Sequence, residues 1–239
     1  MQEDYPIKIN LNDLRYNFQH EISYFKEYLT FNIEKLNVRK DHLDQLLKQD
    51  ILEDPDSEDF FKSFYYLDYI KIPSHFYNSS IVSLYTFFET NLNTICEKIQ
   101  IEVDIVVGLN DLAGSNIIQK ARRFLSKFVN IEFDQIDKEW IRITDFQKLR
   151  NLIVHENSHI RNDSKEDQKL LSQFNGIKLE KDNSFFIISA DLLFDFLSKI
   201  EIFLINIYTQ IENKSFRKFQ FVKDNYIFDD DYGFDNLPF

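Results

Sequence analysis

The stretch SLYTFFETNLNTICEKI, residues 83–99, carries apolar side chains at the spacing of a single helix face. The members of this stripe follow one another at steps of three or four residues: Leu84, Phe88, Leu92, Ile95 and Ile99. That spacing predicts an amphipathic α-helix whose apolar side faces a core. Because Pro73 and Ser74 precede it and favour a helix start, we expect the helix to span about residues 74–100.

The same spacing recurs on both sides of this stretch and predicts further helices over 11–49, 115–129, 134–160 and 190–212. The acidic, proline-containing segment 52–64 predicts a loop followed by a short helix, and 169–174 predicts a helical turn. Before the last helix, IKLE and SFFIIS flank the turn residues KDN, which predicts a β-hairpin. Only 4 Gly and 4 Pro interrupt the 239 residues, which favours long helices. We therefore predict an all-α protein, an antiparallel bundle of about five main helices with one small β-hairpin before the last helix.

Composition places the chain among globular proteins. Apolar residues make up 44% and aromatic residues 16% of the chain, which is enough to fill a core. The single cysteine, Cys96, lies in an apolar run and has no partner for an internal disulfide, as in proteins of reducing compartments. The N-terminus lacks a basic start followed by an apolar run, and no apolar stretch approaches the roughly 20 residues that span a bilayer. We therefore expect a cytoplasmic protein with no membrane partner.

The charge distribution bears on a nucleic-acid partner. The net charge of −12 argues against one for the chain as a whole. Residues 115–165 differ, because they hold ten basic and seven acidic residues and are locally +3. Within them, Arg122, Arg123 and Lys127 are candidate ligands of RNA phosphates. Ordinary charge on solvated helix faces explains the same count equally well.

The segment KLRNLIVHENSHIRND, residues 148–163, contains two overlapping patterns that share His155. In the first, His155-Glu156-x-x-His159 fits H-E-x-x-H, in which two histidines on a helix bind zinc and the glutamate is the general base. A third protein ligand and the downstream glycine and histidine of the extended pattern are missing. Arg161, close to the second histidine, opposes a divalent cation. A zinc hydrolase is therefore the less favoured alternative, and we expect no metal.

The second pattern joins Arg150, Asn151 and His155. In metal-free RNA cleavage a 2′-hydroxyl loses a proton, the leaving 5′-oxygen gains one, and charge builds on the phosphate. An imidazole transfers protons, a guanidinium binds two phosphate oxygens, and an amide orients either group. At about 100° per residue, Arg150 lies about 140° round the helix from His155. We therefore expect the long arginine side chain to wrap round the helix, or a two-fold dimer to complete the cleft. The same residue types on a polar helix face are otherwise ordinary solvated surface.

The run LRNLIVH, residues 149–155, resembles the signature of the HEPN superfamily (higher eukaryotes and prokaryotes nucleotide-binding domain). That signature is an arginine, four to six residues and a histidine, with a polar residue, often asparagine, directly after the arginine. Residues 83–99 resemble the aromatic–glutamate pattern on the second helix of such domains, with Tyr85 and Glu89 as candidate neighbours of the motif.

The resemblance covers about residues 74–212 and divides the chain into three parts. Residues 1–72 are expected to be an N-terminal helical elaboration packed on the core, and residues 74–215 a HEPN-like helical core that carries the motif. Residues 216–239 are expected to be an acidic, aromatic C-terminal tail.

The resemblance also implies an activity: a metal-independent endoribonuclease that needs no cofactor and has a composite active site at a homodimer interface. Arg150 would bind the phosphate, His155 would be the acid/base, and Asn151 would orient them. Apart from the resemblance, His159 and Glu89 are candidates for lining the cleft, and a solvated histidine and a surface glutamate explain them equally well.

A biological setting follows from the same resemblance: a toxin or antiviral abortive-defence effector that cleaves RNA, with an antitoxin or regulatory protein as a possible partner. One toxin subgroup has tyrosine two residues after the histidine, where this chain has Asn157, so modification by an antitoxin at that position is not expected. The alternative from a different class is a non-catalytic HEPN-like binding or regulatory module, which the net charge and the acidic tail favour.

Overall fold

Seven α-helices and one β-hairpin make up the part of the chain that the computed structural model describes, residues 6–161 and 164–216. The helices are α1 (Asn12–Glu53), α2 (Glu58–Tyr66), α3 (Ile72–Val103), α4 (Ile117–Val129), α5 (Asp137–His155), α6 (Lys165–Ser172) and α7 (Asp191–Glu212). Strands β1 (Ile177–Leu179) and β2 (Phe185–Ile187) pair antiparallel directly before α7. The prediction of a mostly helical protein with one small hairpin before the last helix is confirmed. The predicted acidic tail lies outside the described residues from 217 onward.

Helix α3 lies at the middle of the bundle and packs against α1, α4, α5 and α7. Its buried side chains include the whole stripe from which the helix was predicted: Leu84, Phe88, Leu92, Ile95 and Ile99. Helix α5 packs on α7, where the rings of Phe146 and Phe196 stack with centroids 4.1 Å apart. Trp140 is buried at the same contact, 5.6 Å from the ring of Phe203. Aromatic burial of this kind holds the helix that carries the motif against the core.

The chain from residue 55 to α3 is more helical than its composition predicts. A 3₁₀ turn, Pro55–Ser57, precedes α2, and a π-helical turn, Leu67–Lys71, leads from α2 directly into α3. Pro73 therefore lies in the first turn of α3, where its missing N–H costs least. The predicted loop is confined to the region around Pro55, and helical backbone runs on from α2 into α3.

The end of α5 departs most from the predicted boundaries. Periodicity predicts helix as far as residue 160, whereas α5 ends at His155. Asn157 and Ser158 have φ angles of 51° and 59°, in the left-handed region that terminates helices. The hairpin then pairs with the backbone that follows, since the N–H of Phe185 donates to the carbonyl of Ser158 at 2.8 Å. Pairing with the hairpin thus overrides the local helical pattern.

Side-chain hydrogen bonds lie at the starts of α4 and α7, and only the one at α4 comes from the N-cap residue itself, since the N-cap of α7 is Ala190. Oδ1 of Asn116 accepts from the backbone N–H of Gln119 at 3.0 Å and caps α4. Ser189 accepts from the N–H of Asp191 at 3.2 Å at the start of α7. Helix α6 is longer than the predicted helical turn and begins four residues earlier, because the Ser164 hydroxyl caps it.

The two ends of the described chain lie side by side. Ile7 and Phe216 pair through backbone hydrogen bonds of 2.7 and 2.8 Å, next to the start of α1.

Cys96 is a buried free thiol on α3, and burial raises its pKa, which makes it a poor nucleophile. Among the helices of residues 6–161 and 164–216, none combines the length and apolar character that crossing a membrane requires.

Candidate active site

Arg150, Asn151 and His155 lie in the last turns of α5, and their side chains meet. Nη1 of Arg150 donates to Oδ1 of Asn151 at 3.2 Å and lies 3.4 Å from Nε2 of His155. The arginine side chain therefore wraps round the helix, one of the two arrangements that the sequence predicts. Since a guanidinium only donates, a hydrogen bond at this contact forms only with the tautomer whose Nε2 carries no proton.

Helix α3 supplies the wall behind Arg150. Cζ of Arg150 lies 5.3 Å from the centroid of the Tyr85 ring, a cation–π contact that holds the guanidinium in place. Nε2 of Gln147, one turn before Arg150, donates to the Tyr85 hydroxyl at 2.9 Å. Burial, followed by the nearby Glu89 carboxylate, raises the pKa of Tyr85 to about 12, so the hydroxyl stays protonated at neutral pH. The structure thus brings the aromatic residue of the 83–99 pattern directly against the arginine of the motif.

Glu89 lies one helical turn after Tyr85 on α3 and is half-buried. Burial raises the pKa of its carboxyl group, and attraction by Arg150 lowers it by a smaller amount. The net effect is a carboxylate that is less favourable in the folded protein than in the unfolded chain. Glu89 therefore lies beside Tyr85 and Arg150, and its role in lining a cleft stays a prediction.

Replacing Glu89 with Gln is expected to raise the free energy of unfolding near neutral pH, because the amide avoids burial of a charge. A folded-state pKa above the unfolded value means that the contribution of Glu89 to stability is present below the ordinary pKa of 4.5 and is lost as the pH rises through the folded value. The gain from Glu89→Gln should therefore shrink towards about pH 4. Thermal melts of both proteins across this range test it.

The matched control for that change is Glu34→Gln on α1, where the carboxylate is exposed and the substitution should change stability by less than about 0.5 kcal/mol. If Glu89→Gln instead destabilises the protein as the pH rises, attraction by Arg150 outweighs the cost of burial.

Arg150 also carries an unsatisfied polar atom. Its Nε is buried and has no hydrogen-bond partner within the described residues, and the same holds for Oδ1 of Asn78 on α3. Nδ2 of Asn78 donates to the hydroxyl of Ser158, just after the end of α5, at 3.0 Å. A buried donor without an acceptor costs about 1–3 kcal/mol. The unpartnered Nε therefore offsets part of the stabilisation that the cation–π contact with Tyr85 gives to Arg150.

His159 lies outside α5, contrary to the prediction of one continuous helix. Its Nδ1 lies 2.9 Å from the carbonyl oxygen of Asn157, and its backbone bridges to Ser184 next to the hairpin. His155 and His159 are thus not one turn apart on a helix, and the spacing on which the zinc interpretation depends does not hold. Within residues 6–161 and 164–216, no group of three or more His, Cys, Asp or Glu side chains is placed to hold a metal ion.

The basic side chains of α4 differ in their burial and in their contacts with the rest of the protein. The guanidinium carbon of Arg122 lies 4.8 Å from the centroid of the Trp140 ring and 5.0 Å from that of Phe133, and burial lowers its pKa. Arg123 donates to a backbone carbonyl in the loop before α4 at 2.5 Å. Lys127 is exposed in the last turn of α4. Two of the three predicted RNA ligands therefore make contacts within the protein, and both Arg123 and Lys127 are exposed to solvent.

Sequence reasoning missed two polar neighbours of the motif, Gln147 and Asn78. Gln147 precedes Arg150 by three residues and so lies on the same helix face, a signal that the spacing contained. Asn78 is distant in sequence, and only the packing of α3 against α5 brings it to the end of the motif. None of the family models, characterised proteins and solved structures with which the chain was compared matches it.

Proposed function

We propose that this protein is a metal-independent endoribonuclease of HEPN type that cleaves RNA through attack of a 2′-hydroxyl on the adjacent phosphate. The observation that carries the proposal is the convergence of Arg150 on both Asn151 and His155 at the exposed end of α5. These three side chains supply a phosphate ligand, an orienting amide and a proton-transfer group, with Arg150 within hydrogen-bond reach of the other two.

The contact between Arg150 and His155 supports a defined order of events. Without RNA, the guanidinium of Arg150 donates a hydrogen bond to the lone pair of His155 Nε2. When a phosphate binds, the guanidinium turns to two of its oxygens and frees Nε2 to accept the proton of the 2′-hydroxyl. The oxygen attacks phosphorus, the bond to the 5′-oxygen breaks, and the products end in a 2′,3′-cyclic phosphate and a 5′-hydroxyl. Arg150 stabilises the charge that builds on the phosphate.

Cleavage needs a second proton transfer, because the leaving 5′-oxygen must gain a proton in the same step. One neutral imidazole cannot be base and acid at once, which supports the second part of the proposal, a homodimer whose two motifs share one cleft.

Val154 is 45% exposed and lies one turn after Arg150, on the side of α5 that carries Arg150 and His155. Val154→Asp places a charge on that face without touching the core. We expect this variant to be a monomer by light scattering and to have lost RNA cleavage, because the shared cleft no longer forms.

Incubation with RNA in an excess of EDTA tests the chemistry directly. Cleavage should continue in the chelator, because every group in the proposed mechanism belongs to the chain. DNA of the same sequence is the matched substrate control and should stay intact, since it lacks the 2′-hydroxyl. Cleavage that stops on chelation and returns with zinc would show that the mechanism is wrong.

The biological role that goes with this activity is that of a toxin or antiviral abortive-defence effector, with an antitoxin or regulatory protein as partner. Induced expression in a bacterial host tests it. Growth arrest with wild-type protein, but not with a His155→Ala variant, supports the role.

A non-catalytic binding or regulatory module is the second candidate, and the net charge of −12 favours it because the chain as a whole repels RNA. That candidate predicts a protein that leaves RNA intact and whose expression is harmless. The same cleavage assay and growth assay therefore separate the two candidates.

A further inference from the structure

Helix α2 contacts the rest of the protein through one side only. The hydroxyl of Tyr65 donates to the Asp50 carboxylate on α1 at 2.8 Å. The hydroxyl of Tyr66 donates to Glu180, directly after β1, at 2.9 Å. Nevertheless, none of the nine residues of α2 is buried. A helix this short is not stable alone in water, so α2 depends on these contacts and leaves its other side uncovered.

The uncovered side carries two phenyl rings. At about 100° per residue, Phe60 and Phe64 lie on the side of α2 opposite Tyr65 and Tyr66. The two side chains are 65% and 66% exposed, and their rings stack with centroids 6.2 Å apart. They therefore form one contiguous aromatic surface in water, and exposed apolar surface of this kind marks interaction sites.

The chain around this aromatic surface is strongly acidic. Residues 50–59 hold six acidic residues and no basic one. Asp59 directly precedes Phe60, and Asp56 lies four residues before it. Neither forms an ion pair within the described ranges 6–161 and 164–216. The aromatic surface therefore has a negative border, which favours a cationic partner.

The nearby lysines do not cancel this charge. Lys62 forms an ion pair with Glu58 and, two residues from each phenylalanine, lies on the other side of α2. Lys178 pairs with Glu180 on the hairpin side of the helix. With Lys48 and Lys62 both counted, residues 48–64 hold two basic and six acidic residues and are −4.

The same charge disfavours two other occupants. Exposed aromatic pairs stack on the bases of single-stranded nucleic acids, but those sites are basic, whereas these carboxylates repel phosphates. A second copy related by a two-fold axis would bring this surface against itself and place like charges opposite each other.

The chain's own basic segment is too far away. Residues 217–223, RKFQFVK, contain three basic residues and follow Phe216, which pairs with Ile7 next to the start of α1. Asp50, the contact of α2 on α1, lies 38 residues after Asn12, or about 57 Å along the helix. Seven residues span at most about 25 Å, so this segment does not reach α2 of the same chain.

We propose that the uncovered side of α2, formed by Phe60 and Phe64 with Asp56 and Asp59, is a docking surface for a basic segment of a partner protein. The segment carries arginine and apolar side chains. Its guanidinium groups lie over the phenyl rings and pair with the two carboxylates, and its apolar side chains cover the rest of the rings. The surface does not depend on the proposed ribonuclease centre, and its test uses no RNA.

Fluorescence anisotropy with the full chain tests the proposal. The probe is a labelled helical peptide of arginine, leucine and alanine, and its control is the same peptide with glutamate in place of arginine. The arginine peptide should bind, and its affinity should fall as salt is added, because salt screens the carboxylates. The glutamate peptide should not bind. Absence of binding by the arginine peptide, or equal binding of both peptides, overturns the proposal.

Variants of the two phenylalanines locate the binding. Phe60→Ala and Phe64→Ala should each weaken binding of the arginine peptide by at least about tenfold. Both side chains are exposed, so both variants should fold. Phe31→Ala is the matched control, a phenylalanine of α1 that is 58% exposed, and it should bind like the wild type. Equal affinity of wild type and Phe60→Ala would mean that the peptide is attracted only by the general negative charge, which contradicts the proposal.

Two further measurements distinguish the other occupants. Light scattering detects a second copy, and self-association that Phe60→Ala abolishes would show that this surface binds another copy of the chain. Anisotropy with labelled single-stranded DNA detects a nucleic acid, and DNA binding that Phe60→Ala abolishes would assign the rings to base stacking. Either result overturns the proposal, which predicts that Phe60→Ala changes neither measurement.

Discussion

His155→Ala is expected to reduce RNA cleavage by about 10²–10⁴-fold while the melting temperature stays close to that of the wild type. The imidazole is exposed at the last residue of α5, and its hydrogen-bond contact is with Arg150, so its removal deletes the proton-transfer group without opening the core.

The variant Arg150→Lys should lose RNA cleavage on a similar scale. It keeps the positive charge but not the planar fork that binds two phosphate oxygens.

The measurement for both variants is the initial rate of cleavage of a labelled RNA in EDTA, with a thermal melt of each protein. His42→Ala is the matched control, an exposed histidine on α1 outside the motif, and it should cleave RNA at the wild-type rate. Retention of cleavage by His155→Ala rules out the proposed role of His155. A large fall in melting temperature would show that the motif side chains are structural.

Unlike His155→Ala, the variant Phe146→Ala is expected to be much less stable than the wild type. Its free energy of unfolding should be lower by about 3–5 kcal/mol. Phe146 is fully buried on the core face of α5, one turn before Arg150, and stacks on Phe196 of α7. Its ring centroid also lies 5.0 Å from that of Phe174, so truncation leaves a cavity that several aromatic side chains border. For a chain of this size, the loss corresponds to a fall in melting temperature of roughly 10 °C.

Urea denaturation of wild type and variant measures this difference. Phe60→Ala is the matched control, because Phe60 lies on α2 with 65% of its surface exposed, and its truncation should change stability by less than about 0.5 kcal/mol. Equal destabilisation by the two truncations would contradict the assignment of the contact between α5 and α7 as a main part of the core.

His155 and Phe146 illustrate how much of the site follows from local sequence. Helical spacing puts these two residues, nine positions apart, on opposite faces of α5, and the structure agrees because Phe146 is buried and His155 is exposed. Helical periodicity has this power because apolar side chains must leave water together, whatever their partners are.

The contacts among the polar side chains of the site could only partly be predicted from the sequence. Spacing places Arg150 about 140° from His155, yet their side-chain nitrogens lie 3.4 Å apart. The flexible arginine stem and the Tyr85 ring against which it lies produce that contact, and Tyr85 comes from another helix. Contacts between residues far apart in sequence depend on how helices pack, which one-dimensional spacing does not encode.

The sequence by itself determined the helical class, the apolar faces, the hairpin before the last helix and the residue types of the motif, since these follow from local periodicity and side-chain chemistry. Only the tertiary structure decided where α5 ends and which residues surround Arg150. Pairing of Ser158 with the hairpin terminates the helix after His155 and moves His159 off its face. The physical reason is that backbone groups bond to whichever partner the fold brings close, so pairing over a long sequence distance overrides a local preference.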